Sequence, residues 1–451
     1  MKKYTLIYNA RLVDSDVDIK NGAVLICNDK IEGFPGKDAV KKMLSDNSVL
    51  KYDAKGCTVM PGFIDMHAHF RDPGLTAKED IESGSRSAAA GGFGTLVLMP
   101  NTKPVVSSKE MAVINNNRAK AFGFADVIQS VSITENFDGK TISHLNELDA
   151  KTVPVITEDG KEVCNSAVML EAMKIAAGKK IIVSCHCEDP FLADAARPFR
   201  QNALSLLNKE KVSAAEKKAA VENLKQANAL LALAEDTATY RNISLAREAK
   251  CHIHLCHVST ENSISAVREA KKRGVNVTCE ITPHHLGLSG EKLPEIFNIV
   301  NPPLREEKSR LECIKALKDG TADVIATDHA PHTKEDKLAG SPGFSGLETA
   351  FALCNTVLVK ENKFSLKKLS ALMSGNAALI LGLKDKGFLK EGFKADFAIV
   401  DLNEVWTVKG EKFASKGKFT PLEGKKLTGK VKASFFNGKL VFSDFGFSNN
   451  L

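Results

Sequence analysis

Eight times between Thr58 and Thr327 the chain repeats one pattern: a short apolar run rich in β-branched residues, a turn, then a stretch with helical spacing. The runs are "TVMPGFIDMH", "GTLVLM", "ADVIQSVSI", "VPVIT", "KIIVSCH", "HIHLCH", "VNVTCEI" and "ADVIAT". Intervening stretches such as "KEDIESGSRSAAAGG" and "ENSISAVREAKKRG" space their apolar residues as a helix does and end in glycine, which stops a helix at little steric cost. Helices between successive strands return the chain for parallel pairing, and eight such units close a (β/α)8 TIM barrel, an α/β architecture. "KTISHLNELDA" predicts only a short third helix, and the charged insertion from Arg197 to Lys250, between the fifth and sixth strands, reads as solvated helix. The glycines of "GGFGT", Gly91 to Thr95, precede a strand and fit a helix stop, not a phosphate cradle.

The two ends of the chain differ from this pattern. Residues 1–55 and 385–451 hold short alternating strands with turn signals such as "NGA", "NDKI" and "FNGKL", and neither piece can bury a core alone. They are expected to pair into one small β-sandwich domain, leaving residues 56–384 as the barrel. A composition 43% hydrophobic and 26% charged does not suggest disorder. The net charge of +7 comes mainly from scattered lysines, without the arginine–aromatic stripe of a nucleic-acid binder. "MKKYTLIYNARLVDSD" meets polar residues too early for a signal peptide, and no apolar run approaches a membrane span. The ten cysteines are therefore expected to be cytosolic thiols in a cytoplasmic protein, most of them in the core. On a strand Cys185 and Cys187 face away from His186, so no thiolate ligand is expected there.

In "PGFIDMHAHFRDPG", Pro61 to Gly74, the residues Asp65, His67, His69 and Arg71 fall at alternate positions and share one face of a strand. Polar groups on an inward face are costly unless something there needs them; a surface strand facing water is the plain alternative. Paired imidazoles suggest a metal, and the arginine an anionic ligand. Barrel chemistry sits at the C-terminal strand ends. Those ends carry His67 and His69 (first), Asp159 in "TEDG" (fourth), His186 in "HCED" (fifth), His257 in "HVST" (sixth) and Asp328 in "TDHAPH" (eighth). Four histidines and two aspartates at one mouth predict a site for one or two divalent ions, with Zn2+ the best match to the donors.

"PGFIDMHAHFRDPG", "MPNTKP", "HCED", "HVST", "TPHHL", "NPPLR", "ATDHAPHT" and "GLET" together resemble the bacterial type I dihydroorotases of the amidohydrolase superfamily. The resemblance covers nearly the whole chain, including "GFLKEGFKADFAIVD". The HxH pattern marks only the superfamily; Arg71, "MPNT", "NPPLR" and "DHAPH" in combination narrow it. The resemblance implies His67 and His69 on one metal, His186 and His257 on the other, and Asp159 as the bridge. Asp328 completes the first metal's ligands and is the catalytic acid/base. Where the family reads "DDG" this chain reads "EDG", so Glu158 stands beside the bridging residue. Substrate contacts implied are His69, Arg71, Asn101, Asn301 and His332, with Pro342 and Gly343 contributing main-chain groups. His284 and His285 stay unassigned, while His144, His252, His254 and His329 are expected to be structural.

The implied reaction interconverts N-carbamoyl-L-aspartate and L-dihydroorotate, a step of pyrimidine biosynthesis that closes or opens a cyclic amide. Both substrates keep a carboxylate remote from the reacting atoms, which Arg71 can grip bidentately. The resemblance also admits a homodimer and an association with aspartate transcarbamoylase. One rival is a hydantoinase, dihydropyrimidinase or allantoinase, which generally bridge their metals with a carboxylated lysine and lack the Arg–Asn clamp. The other is a catalytically silent scaffold barrel; such relatives usually lose metal ligands, and none is missing here.

Overall fold

The computed structural model describes residues 2–209, 211–291 and 299–445. Phe63–Ala68, Phe93–Leu98, Asp126–Gln129 with Val131–Ser132, Val155–Thr157, Ile182–Cys185, Ile253–Leu255, Val277–Ile281 and Val324–Ile325 are the eight barrel strands. They pair in parallel in chain order. The third is broken at Ser130, whose N–H turns to Leu98 O at 3.0 Å. A parallel bridge between Ala68 and His329 closes the ring. Asp65 adds to that closure by accepting from Thr327 N–H (2.9 Å) and Thr327 Oγ1 (2.5 Å).

Alternation along the first strand sorts its side chains. Ile64 and Met66 pack outward with Ala377, Ala378 and Leu381, while Asp65 and His67 turn inward to polar partners. Helix Ile81–Ala90 starts at a capping box of Asp80 with Ser83 and stops at Gly91, as "GGFGT" implied. The insertion forms two helices, Pro190–Leu207 and Ala214–Ala249, capped by Asp189 and Ser213. No α-helix forms in the third crossover, which makes 3-10 turns at Glu135–Phe137 and Ser143–Glu147. There Asp138 accepts from the Lys140 and Thr141 N–H groups, and Asp149 from Thr152 N–H, bonds that favour turns over helix.

The second sheet interleaves the two ends of the chain. Its order is Lys439–Ser443, Lys426–Phe436, Phe397–Thr407, Thr58–Pro61, Tyr4–Val13, Asp18–Cys27 and Lys30–Gly33, with Val49–Asp53 also paired to Tyr4–Val13. Ile7, Val24 and Ile26 share a core with Phe397 and Phe435. "TVMPGFIDMH" is thus two strands, since Thr58–Pro61 joins this sheet and the chain crosses to the barrel at Gly62. "NDKI" and "FNGKL" are hairpin turns, with Asn28 (φ 57°), Asn437 (φ 48°) and Gly438 (φ 74°) left-handed. "NGA" is not a turn: Gly22 lies inside Asp18–Cys27 at a register shift, where a Cβ would stand 2.6 Å from the Leu12 side chain. No helix among the described residues is long and apolar enough to cross a membrane.

Candidate metal centre

The first barrel strand ends at Ala68, so only Asp65 and His67 share a strand face. His69 and Arg71 follow on a loop, with Arg71 in the left-handed region (φ 57°). The loop is held by Asp72, whose carboxylate takes both Arg118 nitrogens at 2.8 and 2.7 Å. It then passes so close to Lys103 that a Cβ on Gly74 would lie 1.6 Å from the Lys103 carbonyl oxygen.

Asp159 lies within 4.0 Å of all four strand-end histidines. Its Oδ1 is 3.3 Å from His67 Nε2, 3.2 Å from His186 Nδ1 and 4.0 Å from His257 Nε2, and its Oδ2 is 3.5 Å from His69 Nε2. Asp328 Oδ1 stands 3.1 Å from His69 Nε2 and 3.5 Å from His67 Nε2. The six expected ligands therefore converge. Cys185 and Cys187 do not join them, being buried in the surrounding core.

The partners behind the imidazoles set their tautomers. His67 Nδ1 donates to Glu280 Oε1 at 2.7 Å, and His69 Nδ1 to Asn101 Oδ1 at 2.9 Å, which turns both Nε2 lone pairs toward the carboxylates. His67 is 0% exposed, and its Nε2 has no hydrogen-bond partner. His186 Nδ1 and His257 Nε2 face each other at 3.0 Å. With neutral imidazoles Asp159, Asp328 and Glu280 leave a charge of −3 around the histidines, costly unless compensated. Orphaned nitrogen lone pairs and uncompensated carboxylates around one point are a donor set that fits divalent ions. Among the described residues three triads share His67 and have ligand atoms within 4.8 Å of one another: His67–His69–Asp328, His67–Asp159–His257 and His67–Cys256–Glu280.

The electrostatics show how strongly the carboxylates draw positive charge to this point, which a proton supplies when an ion does not. Burial opposes a charged imidazole at His67, yet Asp159 and Glu280 draw its pKa well above the histidine range. At His257 burial wins, helped by His186 and His67, and the pKa falls to about 4. Burial alone would raise Asp328; His67 and His69 outweigh it and hold the carboxyl well below the usual range.

Glu280 escaped the sequence reading. It sits inward on the seventh strand and accepts from His67 Nδ1, from His257 N–H at 3.1 Å and from His254 Nε2 at 3.0 Å. A charged residue in the apolar run "VNVTCEI" was its only signal. His254 is thereby a support of the centre. Glu158 points elsewhere, accepting from Thr134 N–H at 2.9 Å and from Thr134 Oγ1, and burial pushes its pKa up to about 7.

The expected substrate residues stand on loops. Arg71 donates weakly to Pro331 O at 3.4 Å and lies 3.3 Å from His332 Nε2. His332 Nε2 is 2.8 Å from Pro342 O. Asn101 is committed to the metal side, bonding His69 and donating to Asp159 Oδ2 at 3.2 Å. Asn301 Nδ2 donates to Glu188 Oε2 at 2.8 Å while its buried Oδ1 has no partner. Glu188 Oε1 also approaches His186 Nε2 at 3.7 Å. The Gly343 N–H is already spent on Ile299 O at 2.9 Å. His285 Nε2 meets Pro302 O at 3.2 Å, beside Asn301, while His284 packs against Phe344.

Residues 58–441 match the Amidohydrolase family. The chain belongs to the amidohydrolase family. A dihydroorotase of Clostridium botulinum (strain Eklund 17B / Type B) is 41% identical over 445 residues, covering 97% of this chain and 99% of that protein. A dihydroorotase of Bacillus subtilis (strain 168) is 38% identical over 412 residues, covering 90% and 92%. Among solved structures, the L-hydantoinase (dihydropyrimidinase) of Arthrobacter aurescens superposes with a TM-score of 0.83 at 24% identity, covering 98% of this chain and 96% of that one. At such identity the likeness speaks for the fold: an amidohydrolase barrel with a β-sandwich domain.

Proposed function

We propose that the chain is a dihydroorotase that interconverts N-carbamoyl-L-aspartate and L-dihydroorotate, in the cytoplasm, with Zn2+ in the centre. The observation that carries this reading is Asp159. An aspartate within 4.0 Å of all four histidines suits the bridging place that a lysine generally holds in hydantoinase-type enzymes. The dihydroorotase relatives, similar over almost their whole length, support it.

His67 and His69 with Asp328, and His186 with His257, would hold the ions, with Asp159 shared between the two sets. Ions bound there supply Lewis-acid polarisation of the carbonyl and bring a water pKa down to about 7. In ring opening Asp328 takes a proton from the attacking water as the oxygen adds to the ring carbonyl. It returns the proton to the ring nitrogen as the C–N bond breaks; ring closure runs the same transfers backwards. Arg71 and His332 hold the substrate carboxylate, with Asn101, Asn301, the second lone pair of Pro342 O and the Gly343 backbone around the ring.

The test is dihydroorotate formation from carbamoyl aspartate before and after chelation. Turnover should vanish with chelator and return with Zn2+. Indifference to the chelator, or faster opening of hydantoin than of dihydroorotate, overturns the assignment. Gel filtration, alone and with aspartate transcarbamoylase, tests a homodimer and that association.

A further inference from the structure

Lys337 belongs to the short helix Lys334–Leu338 in the loop after the eighth barrel strand, and it is 0% exposed. Its Nζ donates to three main-chain carbonyls: Ile299 at 3.3 Å, Ser341 at 2.8 Å and Gly343 at 2.7 Å. A neutral amine has two N–H groups and an ammonium three, so full use of these acceptors requires the charged form. Burial, with Arg200 adding, draws the Lys337 pKa down to about 7, and the three oxygens, one for each donor, are what favour the ammonium.

The three carbonyls are not neighbours in sequence. Ile299 lies two residues before Asn301 in the connection that follows the seventh strand, and its oxygen also accepts from Gly343 N–H at 2.9 Å. Gly343 follows Pro342, whose carbonyl meets His332 Nε2 at 2.8 Å, and His332 in turn stands 3.3 Å from Arg71. One side chain thus ties the loop after strand seven to the loop after strand eight, on the side of the mouth where the anion-binding groups lie.

We propose that Lys337 is a positioning residue for substrate. Its ammonium fastens the Ile299 and Gly343 backbones together and so fixes where His332 and Pro342 stand relative to Arg71 before substrate arrives. The proposal takes its ligand, a carboxylate-bearing carbamoyl amino acid or its cyclic amide, from the dihydroorotase reading. Lys337 touches neither substrate nor metal, so its effect belongs in KM.

Lys337→Met keeps the apolar stem and removes all three donors; Lys337→Arg returns N–H donors to the same pocket. In steady-state assays of the zinc-loaded full chain, Lys337→Met should raise KM for carbamoyl aspartate at least tenfold. Its kcat should change less than threefold and its zinc content not at all, and Lys337→Arg should recover most of the KM. A KM within twofold of wild type in Lys337→Met, or a fall in kcat alone, overturns the proposal. Amide exchange on the substrate-free wild type needs neither variant nor turnover. Slow exchange at Gly343 supports the fastened loop, and exchange at the rate of an open loop overturns it. A wild type without dihydroorotase activity would defeat the substrate reading, and the exchange measurement would still decide the anchoring.

Discussion

The two halves of the barrel mouth are built in opposite ways. In the metal half, side chains from the ends of five strands press imidazole lone pairs and carboxylates together, and His67 Nε2 is left without a hydrogen bond. In the anion half, Arg71, His332 and Pro342 stand on loops in mutual contact, and His332 Nδ1 and Asn301 Oδ1 are left without hydrogen-bond partners. The first half is incomplete without cations. The second holds one guanidinium by only two weak contacts, at 3.3 and 3.4 Å, which a carboxylate can displace. Function should therefore divide along the same line, with chemistry and metal affinity on one side and substrate affinity on the other.

The largest test of that division is Asp328→Asn, which should keep the fold and lower kcat about 10³-fold. An unchanged rate, with circular dichroism confirming the fold, would remove Asp328 from proton transfer. Arg71→Ala should raise KM for carbamoyl aspartate about 100-fold, roughly the 2–3 kcal/mol of a charge-assisted bond. Zinc stoichiometry should stay as in wild type; a loss of zinc would mean that the two halves are one unit. Glu280→Gln should weaken zinc binding about tenfold in a chelator competition, because His67 loses the carboxylate that fixes its tautomer.

The smallest effect is in acid stability. Burial, with Arg71, Lys78 and Lys337 adding, holds the His332 pKa down to about 3. Between that value and the ordinary 6.5 or so of an unfolded histidine, the unfolded chain takes up a proton that the folded one refuses. Stability from this group is thus full above about pH 6.5 and drains as the pH falls. Denaturant melts at pH 7.5 and pH 5 should show His332→Gln losing less stability than wild type, by about 1 kcal/mol. An equal loss in both would place the acid sensitivity elsewhere.

The metal half was legible in the sequence because its donors are residues of the wrong polarity at the ends of apolar runs. Glu280 obeys the same logic but lies inside a strand, where one carboxylate looks like a lapse in the pattern until its three donors are seen. Strand alternation placed Arg71 beside His67 by a route the chain does not take, since the strand stops at Ala68 and a loop carries the arginine onward. The anion half is harder to read because its geometry depends on main-chain carbonyls such as those of Ile299, Pro342 and Gly343, and any residue type offers a carbonyl. The split of "TVMPGFIDMH" was hidden for another reason: which sheet an apolar run joins depends on partners remote in sequence.

Thr58–Pro61 has one neighbour, Tyr4–Val13, that leaves the ribosome before it and another, Phe397–Thr407, that follows only after the whole barrel. Throughout synthesis one flank of the nascent ribbon therefore stays bare, an invitation to stray pairing with other chains. Gly62 alone separates that flank from the strand carrying His67. A defect in the late-made Phe397–Thr407 would thus stand one residue from the strand that presents His67.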